Sequence, residues 1–322
     1  MKVLLTGGFG NVGLSTLQEL LNKGYDVTVF DIKTPRNKSI SKTYKDKISL
    51  IWGDIRNLKK IKKAVRNQDV IIHTAAIIPP LADEEPEFAH EVNVGGIKNI
   101  LKAINKQPNK PKLIFTSSIT VYGDRIENPM IRVTDSPNPN KDDEYAKQKF
   151  KCEELIKESK IDWIIFRLTY IVSKEKLEMD PLMFSMPLDT CIEICHTKDV
   201  GLALANAVEK SEIVGKILNI GGGENCRIIY RDYIHRMLDL FGLGGDLLPP
   251  KAFSKNKFHC GFLDSKETEE LLHFQRFTLT DYFKEVKEET GIKRFFYQCF
   301  PLIVRPIARK FLLEKSPFYK KN

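Results

Sequence analysis

An α/β fold, built as a doubly wound parallel sheet with a smaller C-terminal lobe, is the class this 322-residue sequence predicts. Three observations carry that expectation. Short β-branched runs alternate with longer amphipathic stretches through the first half, the pattern of a parallel sheet with helices on both faces. A glycine-rich turn separates the first such run from the first amphipathic stretch. After Arg167 the alternation loosens into a segment, 174–189, that contains Met and Pro. The length suffices to bury a full core, and one large domain with a lobe fits it better than two independent units.

Taken in order, strands are expected at 3–5, 27–30, 48–52, 70–73, 113–116 and 163–167, where Val, Ile, Leu and Phe cluster between turn residues. Helices are expected between them, near 12–23, 58–66, 88–105 and 144–159, with Gly24 ending the first as a left-handed C-cap. The alternation Cys191-Ile192-Glu193-Ile194-Cys195 fits a further strand, followed by a helix over 199–209. The doubly wound sheet is assigned to 1–169 and completed by 192–220. The lobe takes 170–191 and 221–290, and a basic amphipathic tail takes 291–322. The lysine-rich stretch 33–47 reads as a solvated loop.

Composition narrows the function classes. No apolar run approaches the length of a membrane span. Met1 leads almost at once into the run from Val3 to Leu5, leaving no room for a signal peptide, so a cytoplasmic protein is expected. The six cysteines show no CxxC pairing, and reduced thiols rather than disulfides or a metal site are expected. A net charge of +9 invites a nucleic-acid reading, yet eight cations against Glu314 place a net +7 within 291–322 and leave the body nearly neutral. No nucleic-acid partner is therefore expected.

Chemistry concentrates in a few motifs. Thr6-Gly7-Gly8-Phe9-Gly10-Asn11-Val12-Gly13 lies between the first strand and first helix, the context in which a glycine pattern binds a dinucleotide. Gly7 permits the tight turn, Gly10 lets the backbone approach a pyrophosphate, and Gly13 permits close helix-sheet packing. The helix N-terminus, at Asn11 and Val12, then faces the anion. The second strand ends in Asp31, where a carboxylate accepts from an adenosine ribose and repels a 2′-phosphate; this favours NAD over NADP, although Lys33 and Arg36 lie close by.

Further on, Tyr145 and Lys149 at i and i+4 share one face of an expected helix. An ammonium beside a phenol stabilises the phenolate and would lower the tyrosine pKa toward the working pH, making it a proton carrier. Upstream, Ser117 and Ser118 fall just past a strand end, at the edge where doubly wound sheets bind ligands, and Ser118 could hydrogen-bond the reacting oxygen.

With these pieces in this order, the chain resembles the extended short-chain dehydrogenase/reductases, the NAD-dependent epimerase/dehydratase family, over about residues 1–290. The resemblance implies a Rossmann sheet with a substrate lobe and a catalytic triad of Ser118, Tyr145 and Lys149, with Lys149 also reaching the nicotinamide ribose. It implies that Asp54 and Ile55, in Gly53-Asp54-Ile55-Arg56, meet the adenine. Thr74, Ala75 and Ala76, after His73, would line the cofactor. Glu91-Val92-Asn93-Val94-Gly95-Gly96, His196-Thr197-Lys198-Asp199-Val200 and Leu218-Asn219-Ile220-Gly221-Gly222 match further family landmarks.

Departures shape the expected activity. Family members that dehydrate nucleotide sugars carry an acid just after the active-site serine or threonine, where this chain has Ile119 and Thr120; the form is closer to the epimerases. Nucleotide-sugar epimerases usually place an asparagine after the sixth strand and an arginine before the histidine landmark. Here Leu168-Thr169-Tyr170 and 190–194 supply neither. The resemblance thus implies a sugar-type epimerase using NAD on a small-molecule substrate. A reductase or dehydrogenase of a non-sugar ketone or alcohol, and a non-catalytic NAD-binding sensor, stay open. So do a homodimer and a peripheral contact of 291–322 with the inner membrane face.

Overall fold

The computed structural model describes residues 1–319 apart from 176 and 178–180. Alternating units open the chain: β1 (Lys2–Thr6), α1 (Asn11–Asn22), β2 (Asp26–Asp31), α2 (Pro35–Thr43), β3 (Ser49–Trp52), α3 (Leu58–Val65) and β4 (Val70–His73). Next come α4 (Leu81–Glu84), α5 (Pro86–His90), α6 (Gly96–Ile104), β5 (Lys112–Ser118), β6 (Met130–Ile131), α7 (Glu144–Lys157) and β7 (Trp163–Leu168). The remainder holds β8 (Tyr170–Val172), β9 (Cys191–His196), α8 (Thr197–Asn206), β10 (Ile217–Ile220), β11 (Arg227–Ile229) and α9 (Tyr230–Leu240). It ends with β12 (Phe262–Leu263), α10 (Lys266–Leu272), α11 (Leu279–Cys299) and α12 (Pro301–Lys315).

Seven strands pair in the order β10-β7-β5-β4-β1-β2-β3, every pair parallel. The winding reverses at β1, so the connections leaving β1 and β4 part to opposite faces and open a crevice at the carboxyl edge of the sheet. On one face Leu17, Leu20, Val200 and Ala203 of α1 and α8 bury against Val3, Leu5 and Val29. On the other, Ile61, Ile97, Ile100 and Ile156 of α3, α6 and α7 bury against Leu4, Ile71 and Leu113. Coverage of both faces is what makes the strands read as near-continuous apolar runs. The expected doubly wound α/β class is the one found.

The lobe has its own core, in which Phe184, Tyr230, Leu238, Phe253 and Val286 pack with Leu312 and Leu313 of α12. Two small sheets attach it to the body: β11-β9-β8, and β12 beside β6.

Four details differ from the sequence reading. Within 33–47, expected as a loop, α2 forms; the Thr34 side chain accepts from the Asn37 amide at 3.1 Å, Pro35 opens the helix, and Ile40 and Tyr44 pack on the first core. The single helix expected over 88–105 is α5 and α6 joined by a π turn, Glu91–Gly95. Of 192–220, α8 and β10 complete the main sheet, whereas β9 pairs with β8 and β11 outside it. Finally, α11 runs through Gly291 without interruption and stops at Phe300, before Pro301; Pro306 lies inside α12. Parts of 174–189, and Lys320 and Lys321, lie outside the described residues.

Candidate active site

The glycine turn follows directly from β1. Gly7 adopts φ +71, and its amide donates to the Phe30 carbonyl at 2.9 Å; a Cβ there would come within 2.7 Å of the Ala75 backbone. A Cβ on Gly13 would run into the Gly7 carbonyl, which already accepts from the Gly10 amide at 3.0 Å. Side chains are thus excluded where backbone must approach backbone. Gly10 caps α1 without a side-chain hydrogen bond, and no acid occupies the first turn, so the helix terminus presents positive dipole to an anion. Asn11 is fixed by the Ser173 hydroxyl, which donates to its Oδ1 at 2.9 Å, while the Val12 carbonyl accepts from Thr16.

Asp31 closes this turn from the next strand. Its Oδ2 accepts from the Phe9 amide at 2.9 Å, and its Oδ1 from the Ile32 amide at 2.7 Å and the Asn37 side chain at 3.2 Å. Burial raises its pKa, opposed by the two amides and by Arg36. Asp31 therefore braces the loop as well as standing at its rim, and Arg36 adds a bond to the Phe9 carbonyl at 2.7 Å. Thr74 donates to the Thr6 carbonyl at 2.8 Å, and Ala75 lies against Gly7, with Ala76 next in the same half-buried segment. After β3, Asp54 is forked by Arg56, whose guanidinium holds its carboxyl below the usual range and also meets Glu91. The Ile55 side chain belongs to the core under Gly96. A cradle that a Cβ would fill and an acid-free helix terminus together fit a dinucleotide.

The candidate catalytic residues sit on the next pair of elements. Ser118 is the last residue of β5; its Oγ accepts from the Thr120 amide at 3.2 Å, and its hydroxyl lies close enough to the Tyr145 phenol to act on that group's pKa. Asp143 caps α7 by accepting from the Ala146 amide at 2.8 Å, which sets Tyr145 in the first turn and Lys149 one turn later. The Lys149 ammonium donates to the Thr116 carbonyl at 2.8 Å and stands 5.7 Å from the Tyr145 ring centre. Tyr145 and Lys149 thus lie one turn apart on α7, with Ser118 at the end of β5 near the phenol.

One expectation fails. Burial, reinforced by the Asp143 charge, pushes the Tyr145 phenol up rather than down, with only the Ser118 bond acting the other way. Burial also pushes Lys149 down to about 8. The ammonium donates to the Thr116 carbonyl and lies over the Phe115 ring, 4.8 Å from its centre.

Further residues hold this arrangement, among them Asn93 from a segment the sequence marked as a landmark and Glu153 and Asp143, which it passed over. Asn93, in the π turn, exchanges two bonds with the Ile77 backbone and donates to Gln148 of α7 at 2.8 Å. Glu153, one turn beyond Lys149 and wholly buried, pairs with Arg167 of β7 at 2.6 Å and accepts from Ser117. Its i+4 spacing from Lys149 was the available signal. Asp143 also pairs with His259 of the lobe at 2.6 Å, a contact no local pattern announces. The late landmarks join lobe to body. His196 stacks on Phe277 and meets Glu285 at 3.0 Å, Asp199 accepts the Arg276 and Phe277 amides, and Asn219 accepts from Tyr122.

The chain is 27% identical to the D-erythronate dehydrogenase of Haemophilus influenzae over 180 residues, 53% of this chain and 55% of that protein. It is 30% identical to the UDP-glucose 4-epimerase of Lactobacillus helveticus over 160 residues, 48% of this chain and 46% of that one. It spans about half the length of these curated relatives. Among solved structures, the dTDP-glucose 4,6-dehydratase DesIV of Streptomyces venezuelae, with NAD bound, matches at TM-score 0.77 and 22% identity over 92% of this chain and 98% of that one. The UDP-glucose 4-epimerase of Thermotoga maritima, with UDP-glucose, matches at TM-score 0.75 and 19% identity over 91% and 99%. At these identities the likeness is one of fold. The model of a single family matches residues 3–186, more than half of the sequence, and the chain belongs to that family, the NAD dependent epimerase/dehydratase family.

Proposed function

We propose that this chain interconverts a hydroxyl and a carbonyl on a sugar-type small molecule, as an epimerase does, using a Ser118-Tyr145-Lys149 site. The observation that carries the reading is the convergence of the three side chains at the carboxyl edge of β5, beside the glycine turn. NAD, when bound, supplies the hydride acceptor and donor. Gly7, Gly10 and Gly13 with the α1 terminus would hold its pyrophosphate and Asp31 its adenosine ribose, which favours NAD over NADP. Asp54, Ile55, Thr74, Ala75 and Ala76 complete that wall.

In the step toward the alcohol, Tyr145 Oη donates a proton to the carbonyl oxygen as hydride reaches the carbon, and Ser118 Oγ holds the same oxygen. The high Tyr145 pKa keeps the phenol protonated for that step. In the step toward the ketone the phenolate accepts the hydroxyl proton, which asks for a cation near Oη. Lys149 is the residue within reach to provide it. Tyr145→Phe is expected to lower turnover by roughly 10²–10⁴-fold while leaving NAD affinity near wild type, because it removes only the proton carrier. Retention of more than about a tenth of wild-type turnover would show that Tyr145 is not the acid/base, and indifference to the change would favour the non-catalytic sensor.

A second reading, a dehydrogenase or reductase that exchanges soluble cofactor with a non-sugar substrate, draws support from a specific feature. The asparagine after β7 and the arginine before His196 that nucleotide-sugar epimerases usually carry are missing from 168–170 and 190–194, where Thr169 instead donates to the Glu193 carbonyl at 2.6 Å and Thr190 is fully buried. Nicotinamide retained through purification favours the epimerase. An absorbance change at the cofactor band on adding a polyol or sugar acid favours the dehydrogenase.

A further inference from the structure

Among the described residues, nine of the seventeen exposed large apolar side chains lie between Ile292 and Phe318. They are ordered. Ile292, Phe295 and Phe296 fall on one face of α11, while Ile303, Ile307 and Phe311 recur every fourth residue along α12. The two stripes meet at Phe300, whose ring lies 5.2 Å from that of Phe296. The opposite side of α12 is anchored, with Leu312 and Leu313 in the lobe core and the Ser316 hydroxyl donating to the Ala252 carbonyl at 2.6 Å. An apolar surface of this extent, held on a folded support, has a partner.

We propose that this α11–α12 surface docks on an anionic lipid bilayer, with its phenylalanine and isoleucine side chains in the interface and its cations among the headgroups. Charge selects that occupant. Lys310 is exposed beside the apolar stripe, Arg309 is exposed on the same helix, and Glu314 is the only acid in 291–322 against eight cations. A second copy of this chain would bring a second net +7 to a self-complementary contact, whereas anionic headgroups neutralise it. Neither helix is long and apolar enough to cross a membrane, so the surface lies on the bilayer rather than through it. A polyanion such as nucleic acid would leave the apolar stripe in water.

The experiment is sedimentation of the full chain with phosphatidylcholine vesicles and with vesicles mixed with phosphatidylglycerol. Two variants accompany it: Ile303→Ser/Ile307→Ser/Phe311→Ser, and Arg309→Glu/Lys310→Glu. Binding to the anionic vesicles is expected to exceed that to neutral ones by about tenfold or more and to fall with added salt. Each variant should lose it while keeping its melting temperature and NAD affinity. Failure of the wild type to pellet with anionic vesicles overturns the proposal, and so does equal binding to both compositions. If light scattering instead shows a wild-type dimer that the apolar-face variant dissociates, with no vesicle binding, the surface belongs to a second copy.

Discussion

Lys149 carries its charge on the acid side of about 8, because burial among Phe115, Thr116 and the α7 backbone penalises the ammonium. The sign of the consequence follows. Below that pH Tyr145 and Lys149 both hold their protons, so the pair must lose one before it can accept the hydroxyl proton; above it one proton is already gone, and the phenolate–ammonium form holds the same number of protons as the form left there. We therefore expect kcat/KM in the direction of alcohol oxidation to rise with pH and to level off above about 8. Lys149→Arg, whose guanidinium does not deprotonate in this range, should move that limb out of view even at reduced activity. A profile that passes flat through about 8 in the wild type would remove Lys149 from the proton chemistry. The same shift acts on stability. Between about 8 and 10.5 the unfolded chain binds more protons than the folded one, so folding is favoured as pH rises across that window.

At the scale of elements, α7 is where site and fold meet, since one helix carries Tyr145, Lys149 and Glu153 and is tied to β7 through the buried Glu153–Arg167 pair. Arg167→Met strands an uncompensated carboxylate and should lower stability by about 3–5 kcal/mol in urea unfolding. Glu153→Leu/Arg167→Met should recover most of the loss, because both charges leave the interior together. A single variant within about 0.5 kcal/mol of wild type would mean that the pair is not buried as described. How far these elements were legible in the sequence depended on how local their causes are. Six of the seven strands of the main sheet, all but β10, and the Gly7–Gly13 turn were read correctly because β-branched runs and glycine spacing act over a few residues. α2 was missed because its face is mostly charged; Thr34 and Pro35 at its start were a usable signal that the surrounding lysines outweighed. The π turn at Glu91–Gly95 coincides with the Asn93 bonds to Ile77 and Gln148, and the placement of β9 depends on pairing with β8 and β11. Both are tertiary facts that no window of sequence contains. The placing of Tyr145 and Lys149 one turn apart on one helix was legible in spacing, but the Asp143–His259 contact and the direction of the Tyr145 shift depend on burial and on the lobe.

Over the whole molecule, the body and the lobe keep separate cores, and α12 closes the second of them. Leu312 and Leu313 are buried with Phe253 and Leu248, and Tyr319 packs at the edge of the same cluster, so the end of the chain is part of the lobe's interior. The outer face of the same helix is exposed at Ile307 and Phe311. One helix therefore holds two populations of apolar residue whose removal should have unlike effects. Leu312→Ala deletes buried atoms and leaves a cavity beside the lobe core, and should destabilise by about 2–5 kcal/mol. Ile307→Ser, which removes no internal contact of that kind, should stay within about 0.5 kcal/mol of wild type. Urea unfolding of the two variants, followed by a probe in the body and a probe in the lobe, measures both the size of the effect and whether the two cores melt together. A Leu312→Ala protein as stable as wild type would mean that α12 is only appended to the lobe. A loss confined to the lobe probe would show that the two cores unfold as separate units, leaving the glycine turn and the Ser118-Tyr145-Lys149 cluster folded after the tail has come away.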